Sequence, residues 1–358
     1  MTDYHMLREV HEQPEAFRKI ATETWPRIRE IAKTAWAKTH PRSYYVVGCG
    51  SSYYAAMVAS FYHEYDLGLD SRALPSAEFV WFAPRSNARS PILLALSRSG
   101  RTSESVEATR KAKKTETPTI AVVSDPQSTM AKECDYCLDT GVPNEESTIM
   151  TKTFTGSALC SILVGLEFAR LSGTAVPRTL EDSLSRLSED ASKVIREVEA
   201  QVKPIAERST SMKRFIYLGS GANYGTCLEG ALKLRETSYS ASEAYHAMEF
   251  RHGPFAELEK DIQVFGVFPK GKTVRQETTL LKEIASTGAN VVPISNVPEI
   301  TDSYADSIRV PESISPEFAP LLFMIPMQIF AYYYTIKKGL NPDRPRNLTK
   351  YVTTEIAP

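Results

Sequence analysis

The 358-residue chain has almost no net charge, since 42 Lys+Arg stand against 43 Asp+Glu to leave -1 at neutral pH. Without a basic excess there is no bulk attraction to nucleic acid or to an anionic membrane, and polyanion binding is not expected. Cysteine is scarce. Five in a chain of this length do not make a disulfide framework. The lone C-x-x-C, Cys134 and Cys137, has no second ligand pair downstream, so no metal site is expected and the pair reads as reduced thiols near a strand. The N-terminus MTDYHMLREVHEQPEAF lacks the basic start and apolar run of a secretory signal, which places the chain in the cytoplasm. Long hydrophobic runs are missing too. The longest nearly apolar stretch, Phe318 to Ile336, is interrupted by Pro320, Pro326 and Gln328, whereas a membrane span wants ~20 predominantly apolar residues. It reads as a buried helix or a subunit contact. What remains, 42% hydrophobic and 24% charged residues, is the composition of a globular chain and excludes disorder and fibrous repeats. At roughly 100–200 residues per domain, the length suggests about two domains.

An internal repeat organises the chain. Two segments resemble each other at a constant offset of 171 residues. YYVVGCGSSYY, with Gly48 and Gly50, matches FIYLGSGANYG, with Gly219 and Gly221. Ser99-Gly100-Arg101-Thr102 matches Lys270-Gly271-Lys272-Thr273, and IAVVS ending at Ser124 matches VVPIS ending at Ser295. Each copy alternates short β-branched runs with stretches of helical period, which reads as βαβ units on a parallel sheet. The expected fold is α/β, with two tandem doubly wound, flavodoxin-like parallel-sheet domains related by duplication. A helical arm is expected over 1–30, the first domain over 31–172, a charged helical linker over 173–204, the second domain over 205–338 and an extended tail over 339–358.

The glycine turns do not carry a dinucleotide fingerprint. GCGSSYYA and GSGANYGT lack the third glycine, and no acidic residue ends a second strand to hold a ribose. Instead, Ser51 and Ser52 follow Gly48-Cys49-Gly50 at a helix start, where backbone N–H groups and hydroxyls can hold an anion. The turn Ser97-Arg98-Ser99-Gly100-Arg101-Thr102-Ser103 ends an apolar strand and supplies four hydroxyls, a flexible glycine and two guanidiniums. Either turn alone reads equally as helix capping. Both at one sheet edge make a phosphate-sized cradle, with Arg98 and Arg101 suited to a dianion. A rival pattern, Gly266 to Thr273, matches the nucleotide-hydrolase phosphate loop. It fails on context, because Gly266 falls inside the run IQVFGVF and no strand ending in Asp follows.

In the second copy, CLEGALKLRETSYS places Glu229, Lys233 and Glu236 at i, i+4 and i+7 on one helical face. The pattern fits a solvated salt-bridge stripe and a functional carboxylate equally. The polar segment Ser242 to Pro254 follows and closes on Arg251-His252-Gly253-Pro254. A histidine in a turn beside an arginine is placed for proton transfer near neutral pH.

Seven ordered motifs make the chain resemble the two-domain sugar isomerase (SIS) family, and within it the isomerase half of glutamine–fructose-6-phosphate amidotransferase and the stand-alone glucosamine-6-phosphate deaminases. They are MLREVHEQPEAF, GCGSSY, SRSGRTSES, MTKTFT from Met150 to Thr155, LEGALKLRETSYSASEAY, EFRHGP and RPRNLTKYVT. The resemblance implies phosphate binding by Ser52, Ser97, Ser99 and Thr102. It implies a proton shuttle between C1 and C2 of an open-chain sugar by Glu236, through an enediol or enolamine, and ring opening by His252 from the neighbouring subunit of a homodimer. Lys350 in NLTK matches the lysine that forms an imine with the ketose, and Glu229 and Lys233 match the face that positions the carboxylate. No metal or organic cofactor is implied. Two positions depart from the family: Arg98 stands where the amidotransferase has glutamine, and Arg101 where it has glutamate.

Because Met1-Thr2-Asp3 begins directly at the isomerase entry, no glutaminase half is expected to supply ammonia. The activity expected is conversion of glucosamine 6-phosphate to fructose 6-phosphate and ammonia. A deglycase acting on a phosphorylated fructosamine, another phosphosugar aldose–ketose isomerase and a non-catalytic phosphosugar sensor are the alternatives. The sensor is disfavoured by the joint presence of Glu236, His252 and Lys350, and by an N-terminal arm too short for a DNA-binding domain.

Overall fold

The computed structural model describes residues 4–82 and 90–354. Met1 to Asp3, on which the entry expectation rests, and residues 355–358 of the expected tail lie outside the described residues. The chain opens with α1 (His5–His11), α2 (Gln13–Lys19) and α3 (Trp25–Thr39). There follow β1 (Ser43–Gly48), α4 (Ser51–Tyr65), β2 (Asp70–Pro75), α5 (Ser76–Phe82), β3 (Pro91–Ser97), α6 (Ser103–Lys114), β4 (Thr119–Val123), α7 (Thr129–Glu133), β5 (Tyr136–Asp139) and α8 (Lys152–Leu171). The long helix α9 (Arg178–Arg208) then leads to β6 (Arg214–Gly219), α10 (Ala222–Ser238), β7 (Ala241–His246), β8 (Ile262–Val267), α11 (Val274–Ser286), β9 (Asn290–Ser295), α12 (Pro298–Thr301), β10 (Ile308–Arg309) and α13 (Ala319–Lys337).

Two compact units result. The first-sheet unit comprises Glu15–Glu145, Lys152–Ser185 and Thr349–Pro358, and the second-sheet unit Met1–Pro14, Glu146–Thr151 and Arg186–Leu348. The first sheet has strand order β2-β1-β3-β4-β5, and the second β10-β9-β8-β6-β7, which is the same order read from its other edge. Every strand pair is parallel. The duplication is exact in length over most of each unit: β1, β2, β3 and β4 and helices α4 and α6 each start 171 residues before their counterparts β6, β7, β8, β9, α10 and α11.

The central strands form because SYYVVG, PILLALS and TIAVV are apolar or β-branched along their length, as strands covered on both faces require. The edge strand DSRALP is polar and half-exposed. Where β1 turns into α4, an added Cβ on Gly48 would lie 2.5 Å from the Ser52 carbonyl carbon, so only glycine lets the helix start this close to the strand end. Gly219 repeats the arrangement, at 2.6 Å from the Asn223 carbonyl oxygen.

The apolar run at 318–336 is α13, a core helix packed on α10. Helices α8 and α13 are long and apolar enough to cross a membrane, yet 89% of the apolar window of each is buried inside the protein. The polar segment from Ser242 begins as the edge strand β7 and continues as short 3-10 turns over Met248–Arg251 and Pro254–Glu257. Gly266 lies within β8 rather than after it, which excludes the nucleotide-hydrolase loop. Cys137 lies in β5 with Cys134 just ahead, and burial pushes both thiols up, Cys137 to about 11.

Candidate active site

In the first sheet the chain reverses its direction of winding between β1 and β3, and the loops that follow these two strands flank the crevice at the carboxyl edge. The loop after β1 delivers Ser51 and Ser52, both buried, into the first turn of α4 behind Gly50. The loop after β3 folds on its own hydroxyls. Ser97 Oγ accepts the Gly100 N–H at 3.0 Å and Ser99 Oγ accepts the Arg101 N–H at 3.2 Å. A hydroxyl that accepts from backbone keeps its O–H to donate, so these bonds fix the loop while leaving donors for an anion. Thr102 caps α6. Below them Ser105 meets Ser76 Oγ at 3.0 Å and the Cys49 sulfur at 3.7 Å, and burial holds the Cys49 thiol above its usual range. The two loops at this edge thus carry Ser51, Ser52, Ser97, Ser99 and Thr102.

The two arginines both carry ion pairs. Arg98 is 9% exposed and pairs at 3.1 Å with the buried carboxylate of Glu145, while Arg101 pairs with Asp125 at 2.7 Å. Each guanidinium already faces a carboxylate, so neither brings an unbalanced charge to a dianion. Lys350 comes to the same unit through the tail, where its ammonium donates to the Glu145 carbonyl at 2.7 Å. Glu145 was missed in the sequence, where only the unusual arginine at 98 signalled that a buried acid would be needed.

The second sheet repeats the loops with most of these hydroxyls lost, Thr273 being retained opposite Thr102. At the constant offset, Asn223 replaces Ser52, Phe268 replaces Ser97 and Lys270 replaces Ser99. Glu277 on α11 is 2% exposed, and burial pushes its carboxyl up against the lowering effect of the nearby Ser220 and Thr273 hydroxyls. A phosphate entering here would meet a buried carboxyl group.

What the second-sheet unit carries instead is the charged face of α10. Lys233 is fully buried, 3.1 Å from Glu229 Oε1 and 2.6 Å from Glu236 Oε2. Burial alone would lower the ammonium, but the two carboxylates outweigh it and the net shift is upward, so Lys233 stays charged. The pattern that matched a solvated stripe is therefore an internal ion triad. Of its members, the Glu229 and Lys233 side chains are at 0% exposure and Glu236 is at 19%. Only Glu236 reaches solvent, and only it can touch a substrate. His252 sits exposed in the turn after β7, its backbone N–H donating to the Glu249 carbonyl, and Arg251 beside it is taken by Glu283 at 2.7 Å.

Comparison with known proteins agrees with this architecture. The family model described as SIS domain matches residues 39–163 and 210–337. Glutamine–fructose-6-phosphate aminotransferase (isomerizing) of Clostridium tetani is 31% identical across 99% of this chain, and that of Pyrobaculum aerophilum 33% identical across 98%. The chain spans 59% and 58% of the length of these relatives. Among solved structures, the C-terminal domain of glucosamine-fructose-6-phosphate aminotransferase from Francisella tularensis superimposes with a TM-score of 0.87 at 25% identity, covering 96% of this chain and 98% of that one. Glucosamine-6-phosphate deaminase from Thermotoga maritima gives 0.79 at 27% identity, covering 97% of this chain and 99% of that one. Two SIS segments on two sheets of the same strand order, with likeness to solved structures along nearly the whole of both chains, establish that the chain belongs to the SIS domain family.

Proposed function

We propose that the protein is a cytoplasmic, homodimeric aminosugar-phosphate deaminase that converts glucosamine 6-phosphate and water to fructose 6-phosphate and ammonia. The observation that carries the reading is the triad on α10, where a buried ammonium holds one partly exposed carboxylate, Glu236. The hydroxyls at Ser51, Ser52, Ser97, Ser99 and Thr102 bind the phosphate. His252 moves a proton during ring opening, giving the C1 aldehyde with the amine on C2. Glu236 takes the C2 proton, generating an enolamine, and returns it to C1. One carboxylate serves both carbons because both transfers occur on one face. The resulting C2 imine adds water and expels ammonia, leaving the C2 ketone, and the buried ammonium of Lys233, 2.6 Å from Glu236, holds the carboxylate in place for each new cycle. Lys350 places its amine at the C2 carbonyl of the open-chain sugar. His252 works in the neighbouring subunit's site, for which its exposure on its own unit leaves it available.

The likeness to the Thermotoga maritima deaminase along nearly the whole of both chains supports the reading. The test is Glu236→Gln, which keeps the shape of the side chain and removes its basicity. Ammonia release should fall by a factor of about 10²–10⁴ while fructose 6-phosphate still binds within a few fold. Normal turnover in that variant would remove Glu236 from the mechanism.

A further inference from the structure

We infer that Arg98 and Glu145 form a positioning clamp on Lys350, and that Arg98 acts on the tail rather than on the substrate phosphate; the inference rests on the role given to Lys350 above. Within the first-sheet unit the three residues close a ring. Arg98 Nη1 lies 3.1 Å from Glu145 Oε2. Arg98 Nη2 donates to the Lys350 backbone carbonyl at 3.0 Å, and Lys350 Nζ donates to the Glu145 backbone carbonyl at 2.7 Å. Lys350 is thereby held by its main chain and by its side chain at once.

The clamp is anchored on both sides. Glu145 accepts the Thr153 N–H at 3.0 Å and the Thr153 hydroxyl, so its carboxylate is fixed at the start of α8. Beyond Lys350 the tail stays on the loop after β3: the Ser103 N–H donates to the Val352 carbonyl at 3.3 Å and the Thr354 N–H to Ser103 Oγ at 2.9 Å. The loop that supplies the phosphate hydroxyls therefore also seats the tail that carries the lysine.

Arginine suits this place for a physical reason. Its planar fork serves two acceptors in different directions, the Glu145 carboxylate and the Lys350 carbonyl. The glutamine of the related amidotransferases has no charge to set against Glu145. Turning Arg98 into the phosphate cradle would break its buried ion pair with Glu145, which is costly.

The experiment compares the full-length wild type with Arg98→Gln and Arg98→Lys by hydrogen exchange over residues 349–354, fructose 6-phosphate binding, and borohydride trapping of a Lys350 adduct with fructose 6-phosphate. Thermal denaturation checks that each variant is folded. The clamp predicts at least tenfold faster tail exchange and at least fivefold less trapped adduct in Arg98→Gln, fructose 6-phosphate affinity within threefold, and partial recovery of trapping in Arg98→Lys. Where glucosamine 6-phosphate turns over, kcat should fall with KM little changed. Affinity falling tenfold or more with tail exchange unchanged would make Arg98 a phosphate ligand and overturn the inference. If Arg98→Gln does not fold, Glu145→Gln must show the same faster tail exchange and reduced trapping, and wild-type values there would also overturn it. Absence of any trapped adduct in the wild type would strike the role of Lys350, and the positioning claim with it. Absence of ammonia release alone would strike the deaminase reading while tail exchange and trapping still judge the clamp.

Discussion

The Lys233 ammonium lies 2.6 Å from Glu236 and 3.1 Å from Glu229 with no exposure of its own, so α10 carries an ion triad whose single outlet to solvent is Glu236. This arrangement separates the residue proposed to react from the two buried residues beside it, with distinct predictions for each.

Removing the cation should damage stability as well as turnover. Lys233→Met leaves Glu229 buried beside an apolar side chain, and breaking a buried pair in this way costs about 3–5 kcal/mol. Urea denaturation measures it. The double variant Glu229→Gln/Lys233→Met should recover a substantial part of the loss, since it no longer buries an unbalanced charge. A single variant within about 1 kcal/mol of wild type would contradict the buried triad.

Phosphate binding should be confined to the first copy. Ser97→Ala and Ser99→Ala are each expected to weaken fructose 6-phosphate by about 10-fold or more, the worth of a hydrogen bond to a charged group. Lys270→Ala and Lys272→Ala, on the corresponding loop of the second copy, should leave affinity within twofold. Calorimetry should give one site per chain. Two sites per chain would mean that the Glu277 crevice accepts an anion after all.

Acid should destabilise the first-sheet unit through His63. This ring is fully buried, 3.2 Å from Ser71 Oγ and 2.9 Å from the Ser161 carbonyl, and burial pushes it down from 6.5 to about 4. The unfolded chain therefore binds a proton that the folded chain refuses. The full contribution is present above about pH 6.5, and roughly 3 kcal/mol is lost as pH falls toward 4. Denaturant midpoints at pH 7 and pH 4.5 should show a smaller difference in His63→Gln than in wild type. Equal differences would contradict this assignment.

Much of this was legible in the sequence, and the rest was hidden for identifiable reasons. The glycine turns at Gly48 and Gly219 exposed the duplication, because close strand-to-helix approach tolerates no Cβ in either copy. The β2 and β7 pair obeys the same offset but went unseen. DSRALP and ASEAYH are edge strands, where half-exposed positions put little constraint on residue type. The charge pattern of α10 was visible while its burial was not, since the same i, i+4 spacing serves a solvated face. Arg98 and Arg101 were read as dianion ligands because their partners, Glu145 and Asp125, lie 47 and 24 residues further along the chain.

The most direct test of the account is product release from the purified protein given glucosamine 6-phosphate, with ammonia and fructose 6-phosphate quantified in parallel. Equal amounts of both, lost in Glu236→Gln, are the predicted result. Fructose 6-phosphate binding without release of either product from glucosamine 6-phosphate would contradict the deaminase.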